Sequence, residues 1–118
     1  MKFTYFLNEA VKTTVQPKTK DELKYIIEDT IKEQGNNCDL NFIDTSLIKD
    51  MRDMFAESNF NGDISKWDVS NVENMRNMFA KSKFNGDISQ WDVSNVKDMK
   101  AMFYDSPLEG NEPNWYKG

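Results

Sequence analysis

A tandem repeat constrains this sequence more than any other feature. Residues 51–74 align without gaps to residues 75–98, and 18 of the 24 positions are identical. The six positions that differ carry polar residues in both copies, as expected of side chains that face water. The identical apolar positions therefore predict a shared core. A fixed period of this length is typical of repeat proteins whose units stack on one another.

The period continues in weaker form on both sides of the two full copies. Upstream, segment 39–48 falls one full period before segment 63–72, and downstream Met99, Phe103 and Trp115 keep the register. Weaker matches at both ends are typical of capping units, which close an apolar interior against water. The chain is therefore divided into N-terminal strands or a hairpin at 1–16, a capping helix at 17–38, and a repeat region at 39–118 with a degenerate C-terminal cap at 99–118.

The sequence before the repeats predicts one helix and two short strands. Thr19 and Glu22 have the spacing of a capping box, and Gly35 is a typical residue just beyond a helix end. These signals predict a helix over Lys20–Gln34 with an apolar stripe. The apolar runs at 3–7 and 11–15 predict the two strands.

Within each unit the apolar spacing follows the leucine-rich-repeat pattern. A short strand is predicted at 66–70, with Trp67 and Val69 turned inward. A helix is predicted to follow it, because the next apolar residues are spaced as one stripe of a 3.6-residue helix. The residues assigned to the structural core are Trp67, Trp91, Trp115, Met75, Met78 and Phe79. The Asn85-Gly86 pair predicts a turn with positive φ between units.

These elements together predict an α/β fold. It would be a short right-handed spiral of leucine-rich-repeat type, with parallel strands on one face, helices on the other, and an N-terminal cap of hairpin and helix. The repeated motif Met-x-x-Met-Phe-x-x-Ser-x-Phe-Asn-Gly-Asp-Ile-Ser-x-Trp-Asp-Val-Ser-Asn-Val resembles the BspA-like leucine-rich-repeat family, also described as the mycoplasma-type domain of unknown function 285. The resemblance covers residues 17–116 and implies the same spiral. It also implies kinship with bacterial surface proteins or lipoproteins of adhesive or unknown role.

Composition excludes several classes of site. The chain has no histidine and one cysteine, so it lacks the residues for Ser-His-Asp or Cys-His catalysis and for zinc sites built from histidine and cysteine. Its formal net charge of −5 argues against direct binding to nucleic acid or to an anionic membrane. Neither a signal peptide nor a membrane-spanning run is visible, which favours a cytoplasmic location. We expect no enzyme activity, no metal and no cofactor.

The outward positions of the predicted strands form columns through the repeats. Asp44, Asp68 and Asp92 make the central column, and each would lie about 4.8 Å from the next. Two interpretations stay open for these carboxylates. In one, each accepts hydrogen bonds from its own loop, as aspartates often do. In the other, the column meets the basic groups of a partner or a cation. The predicted contact residues are Asp44, Asp68, Asp92, Lys66, Gln90 and Phe42.

Three functions fit these features. The first is a non-catalytic module of leucine-rich-repeat type that binds a partner protein with a basic surface through the acidic strand face. The second is a small acidic intracellular inhibitor, of the immunity or phage-encoded type, that covers a basic nucleic-acid-processing enzyme. The third is a remnant or a unit of a repeat library without a separate role. The oligomeric state and the identity of the partner do not follow from the sequence.

Overall fold

One α-helix, α1, spans Lys20–Gln34 in the computed structural model, which describes residues 14–118. The Thr19 hydroxyl accepts a hydrogen bond from the Glu22 amide at 3.1 Å, which satisfies one of the free donors of the first turn. At the other end Gly35 adopts a φ of 91°, and its amide donates to the Ile31 carbonyl. The predicted helix and its end signals are thus confirmed.

The inner side of α1 contributes to the same core as the repeats. Leu23, Ile26 and Ile27 are buried and belong to one apolar cluster that continues through every repeat unit. The Thr30 hydroxyl is buried as well and donates to the Ile26 carbonyl at 2.7 Å. The helix therefore closes the N-terminal end of the repeats rather than standing apart from them.

The repeat units stack through segments 51–58, 75–82 and 99–106, which we call the turn segments. Each is a run of tight turns closed by i→i+3 hydrogen bonds, such as Met78 N–H to Met75 C=O at 3.1 Å. The alternate amides bind the next unit instead, so that Phe79 N–H donates to Met102 C=O at 2.9 Å. In the first two turn segments, alternate amides thus join the unit to the following one.

Rings of the same type lie above one another through the stack. Phe79 is parallel to Phe55 at a centroid distance of 5.6 Å and to Phe103 at 5.7 Å. Trp67, Trp91 and Trp115 form a second column with spacings of 6.5 and 6.2 Å. Offset aromatic pairs at such distances add to the free energy of area burial. The core is a set of these columns side by side.

The helix predicted after each strand is absent. Asn77 and Lys81 have φ values of 59° and 58°, in the left-handed region that an α-helix of L-residues avoids. The spacing of the units explains this result. Helices pack about 8–10 Å apart, whereas the Phe79 ring lies 5.7 Å from the equivalent ring in the next unit. A unit this thin has no room for a helix, and consecutive turns produce the same three- and four-residue apolar spacing.

The strand predicted at 66–70 is also absent, and several amides in and beside it form hydrogen bonds within their own unit. Ser65 N–H and Ser70 N–H donate to aspartate side chains two residues earlier. Trp67 N–H and Val72 N–H close turns onto Ile64 and Val69. With these amides engaged inside the unit, none of them is free to form a ladder with a neighbouring strand.

The α/β fold with parallel strands and helices is therefore wrong. The described residues contain one helix and no sheet, and pairing of the β type is confined to isolated parallel bridges. The residues in these bridges are Val15, Asp39, Ile43, Asp50, Asp63, Asn74 and Asp98. The strand predicted at 3–7 and most of the one at 11–15 lie outside the described residues.

The glycines between units have another role than the one predicted. Gly62 and Gly86 are absent from the positions with positive φ in the described chain. A Cβ atom on Gly62 would lie 1.8 Å from the Cys38 carbonyl oxygen, so a side chain cannot fit there. Gly62 is required because two units approach each other closely at this point.

Candidate functional site

The three aspartates predicted to bind a partner lie at equivalent turns of successive units. Asp68 and Asp92 are exposed, and Asp44 is partly buried. In each case Oδ1 accepts the backbone amide two residues later, at 2.9 Å for Asp44 and 3.0 Å for the other two. This is the Asx turn, and it fixes the orientation of the carboxylate. The structural interpretation therefore applies to all three.

Two further columns repeat the same turn. Asp63 and Asp87 accept the amides of Ser65 and Ser89 at 2.9 Å, and Asp39 accepts that of Asn41 at 2.8 Å. The third column contains Asp50, Asn74 and Asp98, which accept the amides of Arg52, Arg76 and Lys100. Since Asn74 serves as well as the aspartates around it, the turn requires the Oδ1 acceptor and does not require the negative charge.

The Asx turns stabilise the ionised carboxylates. Hydrogen bonds from Asn41 and Ser65 lower the pKa of Asp63 from 3.8 to about 2. The pKa values of Asp44, Asp87 and Asp92 are lowered as well, in each case chiefly by the hydrogen bonds from the serine two residues later. These four side chains are therefore ionised throughout the neutral pH range.

The other predicted contact residues differ in exposure. Lys66 and Gln90 are exposed, and the Lys66 amide donates to the Asn41 side chain at 2.9 Å. Phe42, which was predicted to point outward with them, is partly buried and packs against the core. The structure thus brings Lys66 and Gln90 to the surface beside the aspartates, and it does not offer Phe42 as an open contact.

The residues assigned to the core lie in it to different extents. Trp67, Trp91, Met75, Met78 and Phe79 are buried. Trp115 is partly buried and packs against the core cluster. Each indole N–H donates to a backbone carbonyl of the preceding unit, with distances of 2.9, 3.1 and 2.9 Å. The tryptophans therefore link adjacent units, and each indole N–H has its hydrogen-bond acceptor inside the protein.

Charge is distributed unequally between two parts of each unit. We call residues 39–47, 63–71 and 87–95 the aspartate segments. Together they contain six aspartates and one basic residue, Lys66. The turn segments 51–58, 75–82 and 99–106 contain three acidic and four basic residues. The strongly acidic surface of the repeat region is therefore formed by the aspartate segments.

Within residues 14–118, no group of three or more acidic, cysteine or histidine side chains is placed to hold a metal ion. The described surface has a shallow groove of about 210 Å³, whose lining includes Glu57, Lys81 and Tyr104. Its lining residues all belong to the turn segments, and none of them is a member of the aspartate columns. The aspartates thus lie on open surface, where they can contact a large partner but do not enclose a small substrate.

The sequence interpretation found one aspartate column of the aspartate segments and missed the other. Asp39, Asp63 and Asp87 were not among the predicted contact residues, although they are exposed and accept the same type of backbone hydrogen bond. A signal for both columns is present in the sequence. Asp-x-Ser occurs twice in each full unit, at 63–65 and 68–70 and again at 87–89 and 92–94. This spacing is that of an Asx turn.

The comparisons with known proteins give a family and nothing further. The family model described as "Mycoplasma protein of unknown function, DUF285" matches residues 22–116. No curated protein matches the chain. No solved structure matches it either. In the described part of the chain, α1 is too short and too polar to span a bilayer.

Proposed function

Since this chain belongs to the DUF285 family, for which no shared activity is known, we propose a function from its surface: it is a non-catalytic protein-binding module. The partner has a basic surface, and it contacts the aspartate segments. The observation that carries the proposal is the excess of six aspartates over one lysine in those segments. Five of the six side chains are exposed.

The Asx turns make this surface suitable for charge recognition. Each carboxylate is already oriented by a backbone amide, so little side-chain entropy is lost when a partner binds. Asp63, Asp87 and Asp92 have lowered pKa values and remain charged. Complementary charge of this kind raises association rates and gives specificity more than it gives affinity.

Substitution by asparagine separates the electrostatic role from the structural one. Asn74 shows that an asparagine side chain can accept the same backbone hydrogen bond, at 3.0 Å. The variant Asp68→Asn with Asp92→Asn therefore removes two charges and keeps both turns. Alanine at the same positions would remove the turns as well, so it cannot distinguish the two roles.

The test is a capture experiment with the full chain on a support and a lysate of the native host at low and high salt. We expect a basic protein to be captured at low salt and released at high salt. The double asparagine variant should bind it roughly 2- to 30-fold more weakly, since each exposed ion pair contributes about 0.2–1 kcal/mol. The variant Glu57→Gln with Asp98→Asn, which changes the net charge equally outside the aspartate segments, should bind as the wild type does. Equal binding by wild type and the double asparagine variant would exclude this surface.

The alternative proposal uses the same surface against a narrower class of partner. Stacked carboxylates with one intervening lysine are suited to cover the phosphate-binding face of a nucleic-acid-processing enzyme. This inhibitor role predicts that the captured protein is such an enzyme. It also predicts that an equimolar amount of the chain lowers its activity, and that the double asparagine variant lowers it less. A captured protein whose activity is unaffected would leave only the general binding role.

The relation to BspA-like proteins is likewise a proposal. It is supported by the repeat motif, in which the same apolar and Asx-turn residues recur in both full copies. Strands and helices of the leucine-rich-repeat type form no part of it. Because surface adhesion is a role of that group, cell fractionation of the native host would separate a surface location from an intracellular one.

A further inference from the structure

The pair Asn-Gly occurs twice in the sequence, at 61–62 and at 85–86, and the surrounding residues Phe-Asn-Gly-Asp-Ile-Ser are identical in both places. Both asparagines are exposed. An asparagine that precedes glycine is chemically labile, because glycine has no side chain to hinder attack by its own backbone nitrogen on the asparagine side chain. The two copies are equal in local sequence, so a difference in reactivity between them must come from the fold.

The reaction of an Asn-Gly pair is cyclisation followed by hydrolysis. The glycine nitrogen attacks the asparagine Cγ and forms a new C–N bond, and the side-chain amino group leaves as ammonia with the proton of the glycine amide. Water then opens the five-membered imide at either of its two carbonyl carbons and gives aspartate or isoaspartate. The net reaction consumes water and releases ammonia, and it places a negative charge where the asparagine had none.

The stack holds the first of these pairs from both sides. Asn61 N–H donates to the Asn36 carbonyl at 2.7 Å, and Asp63 N–H donates to the Cys38 carbonyl at 3.2 Å. The Asn61 Oδ1 accepts the Asn85 amide of the following unit at 2.8 Å. Cyclisation requires the carboxamide to turn toward the next backbone nitrogen. At Asn61 this movement therefore breaks the bond to the following unit and disturbs the bonds to the preceding segment.

The second pair lacks most of these restraints. The bond from the Asn85 amide to the Asn61 Oδ1 is the one hydrogen bond of Asn85 among residues 14–118, so its carboxamide has no partner there. The Asp87 amide also has no acceptor in this range, unlike its counterpart in the preceding copy. A Cβ atom on Gly86 would lie 3.4 Å from the Gly62 carbonyl oxygen, whereas one on Gly62 would clash with the preceding segment. The Asn85 side chain is thus free to turn toward the glycine nitrogen.

We propose that Asn85 is a site of spontaneous covalent modification, at which water converts the carboxamide to aspartate or isoaspartate, and that stacking protects the equivalent Asn61. Local opening must precede cyclisation at Asn61, and each additional hydrogen bond lowers the open fraction. In the folded chain the conversion should be roughly tenfold or more faster at Asn85 than at Asn61. The product adds a carboxylate two residues before Asp87, so the acidic surface of the repeat region grows as the protein ages.

The test is incubation of the full chain at pH 8 and 37 °C, followed by brief trypsin digestion and mass spectrometry. Cleavage after lysine and arginine places the two sites in different peptides, 53–66 and 84–97. A sample digested at zero time corrects for conversion during digestion. Converted product should accumulate in peptide 84–97 roughly tenfold or more faster than in peptide 53–66. In concentrated urea the two sites should react at the same rate, because their local sequences are identical.

Two variants with the same charge change separate the two sites. Asn85→Asp removes the reactive carboxamide and should abolish most of the formation of more acidic species, as measured by ion-exchange chromatography. Asn61→Asp keeps an Oδ1 acceptor for the Asn85 amide and should leave the rate of that formation nearly unchanged. The proposal is overturned if Asn61 reacts as fast as Asn85 in the folded chain, if neither reacts there, or if the difference between them persists in urea.

Discussion

α1 and the turn segment 75–82 pack against the same core, but they use their backbone hydrogen bonds differently. In α1 the amides donate within the helix, and its ends are closed by Thr19 and Gly35. In the turn segment half of the amides close local turns and half bind the next unit. The helix therefore completes its own backbone pairing, whereas the turn segment depends on its neighbours.

This difference shows why a repeat unit can be so thin. A helix carries its hydrogen bonds along its axis, but it needs about 8–10 Å of space beside a neighbour. A turn segment gives up some internal bonds and gains bonds to both neighbours, with phenylalanine rings 5.6 and 5.7 Å apart. Its stability is consequently shared along the stack, as in other repeat proteins.

The largest expected effect is that one substitution in the core destabilises α1 and the repeats together. Phe79 is fully buried between two parallel rings, so Phe79→Ala should lower the free energy of unfolding by about 3–5 kcal/mol. All three tryptophans lie in the repeats, whereas α1 is the one helix of the described chain. Urea unfolding followed by fluorescence and by circular dichroism in the far ultraviolet should therefore shift to the same lower midpoint. A helical signal that kept its wild-type midpoint would mean that α1 folds independently of the repeats.

The next largest effect is that of substitution by glycine, which should raise stability in the turn segment and lower it in α1. Lys81→Gly relieves a φ of 58° and should raise stability by about 0.5–1 kcal/mol. Glu28→Gly places glycine at an exposed position inside α1 and should lower stability by about 1 kcal/mol. Chemical denaturation of the two variants measures both values. Destabilisation by glycine at both sites would contradict the turn structure and restore the helix predicted for 75–82.

The smallest effect should be a dependence on pH that comes from the Asx turns. The pKa of Asp63 is lowered to about 2 in the folded chain, so its stabilising contribution is complete above its unfolded value of 3.8. That contribution is lost as pH falls from about 4 to 2. Because Asp63 is exposed, we expect it to be less than about 1 kcal/mol.

Asp63→Asn provides the control for this pH effect. Asparagine keeps the Oδ1 acceptor for the Ser65 amide and cannot titrate. Urea midpoints measured at pH 2, 3, 4 and 7 should therefore fall less steeply for the variant than for the wild type. Parallel curves for the two proteins would show that Asp63 is not responsible for the acid sensitivity.

The sequence predicted α1 with its correct ends because the signals of that helix are local. Thr19, Glu22 and Gly35 specify the two ends without reference to the rest of the chain. The repeat also predicted which residues are equivalent, and Phe79 and Trp91 are buried as expected. The backbone conformation between these residues could not be predicted from the sequence. An apolar stripe such as Met75, Met78 and Phe79 fits a helix and a series of turns equally well. The choice depends on the distance between units, which no single unit encodes.

The sequence identified only part of the aspartate surface, because it too was predicted from a backbone conformation that the structure does not contain. The column of Asp44, Asp68 and Asp92 was identified by counting outward positions of a strand that the structure does not contain. Exposure of Asp68 and Asp92 follows instead from their Asx turns. Phe42 was assigned outward by the same count and lies against the core. Local rules for aspartate and serine would have located the surface better than the assumed strand.

The near-identity of successive junctions has a consequence for how such a protein can change over time. The interior block 75–98 meets the block before it and the block after it through the same kinds of ring contact, at 5.6 and 5.7 Å for phenylalanine. Insertion or deletion of one complete block would leave every remaining contact of a type the protein already makes. Relatives can therefore lengthen or shorten by a whole block in a single genetic event, while α1 and the C-terminal residues continue to close the ends.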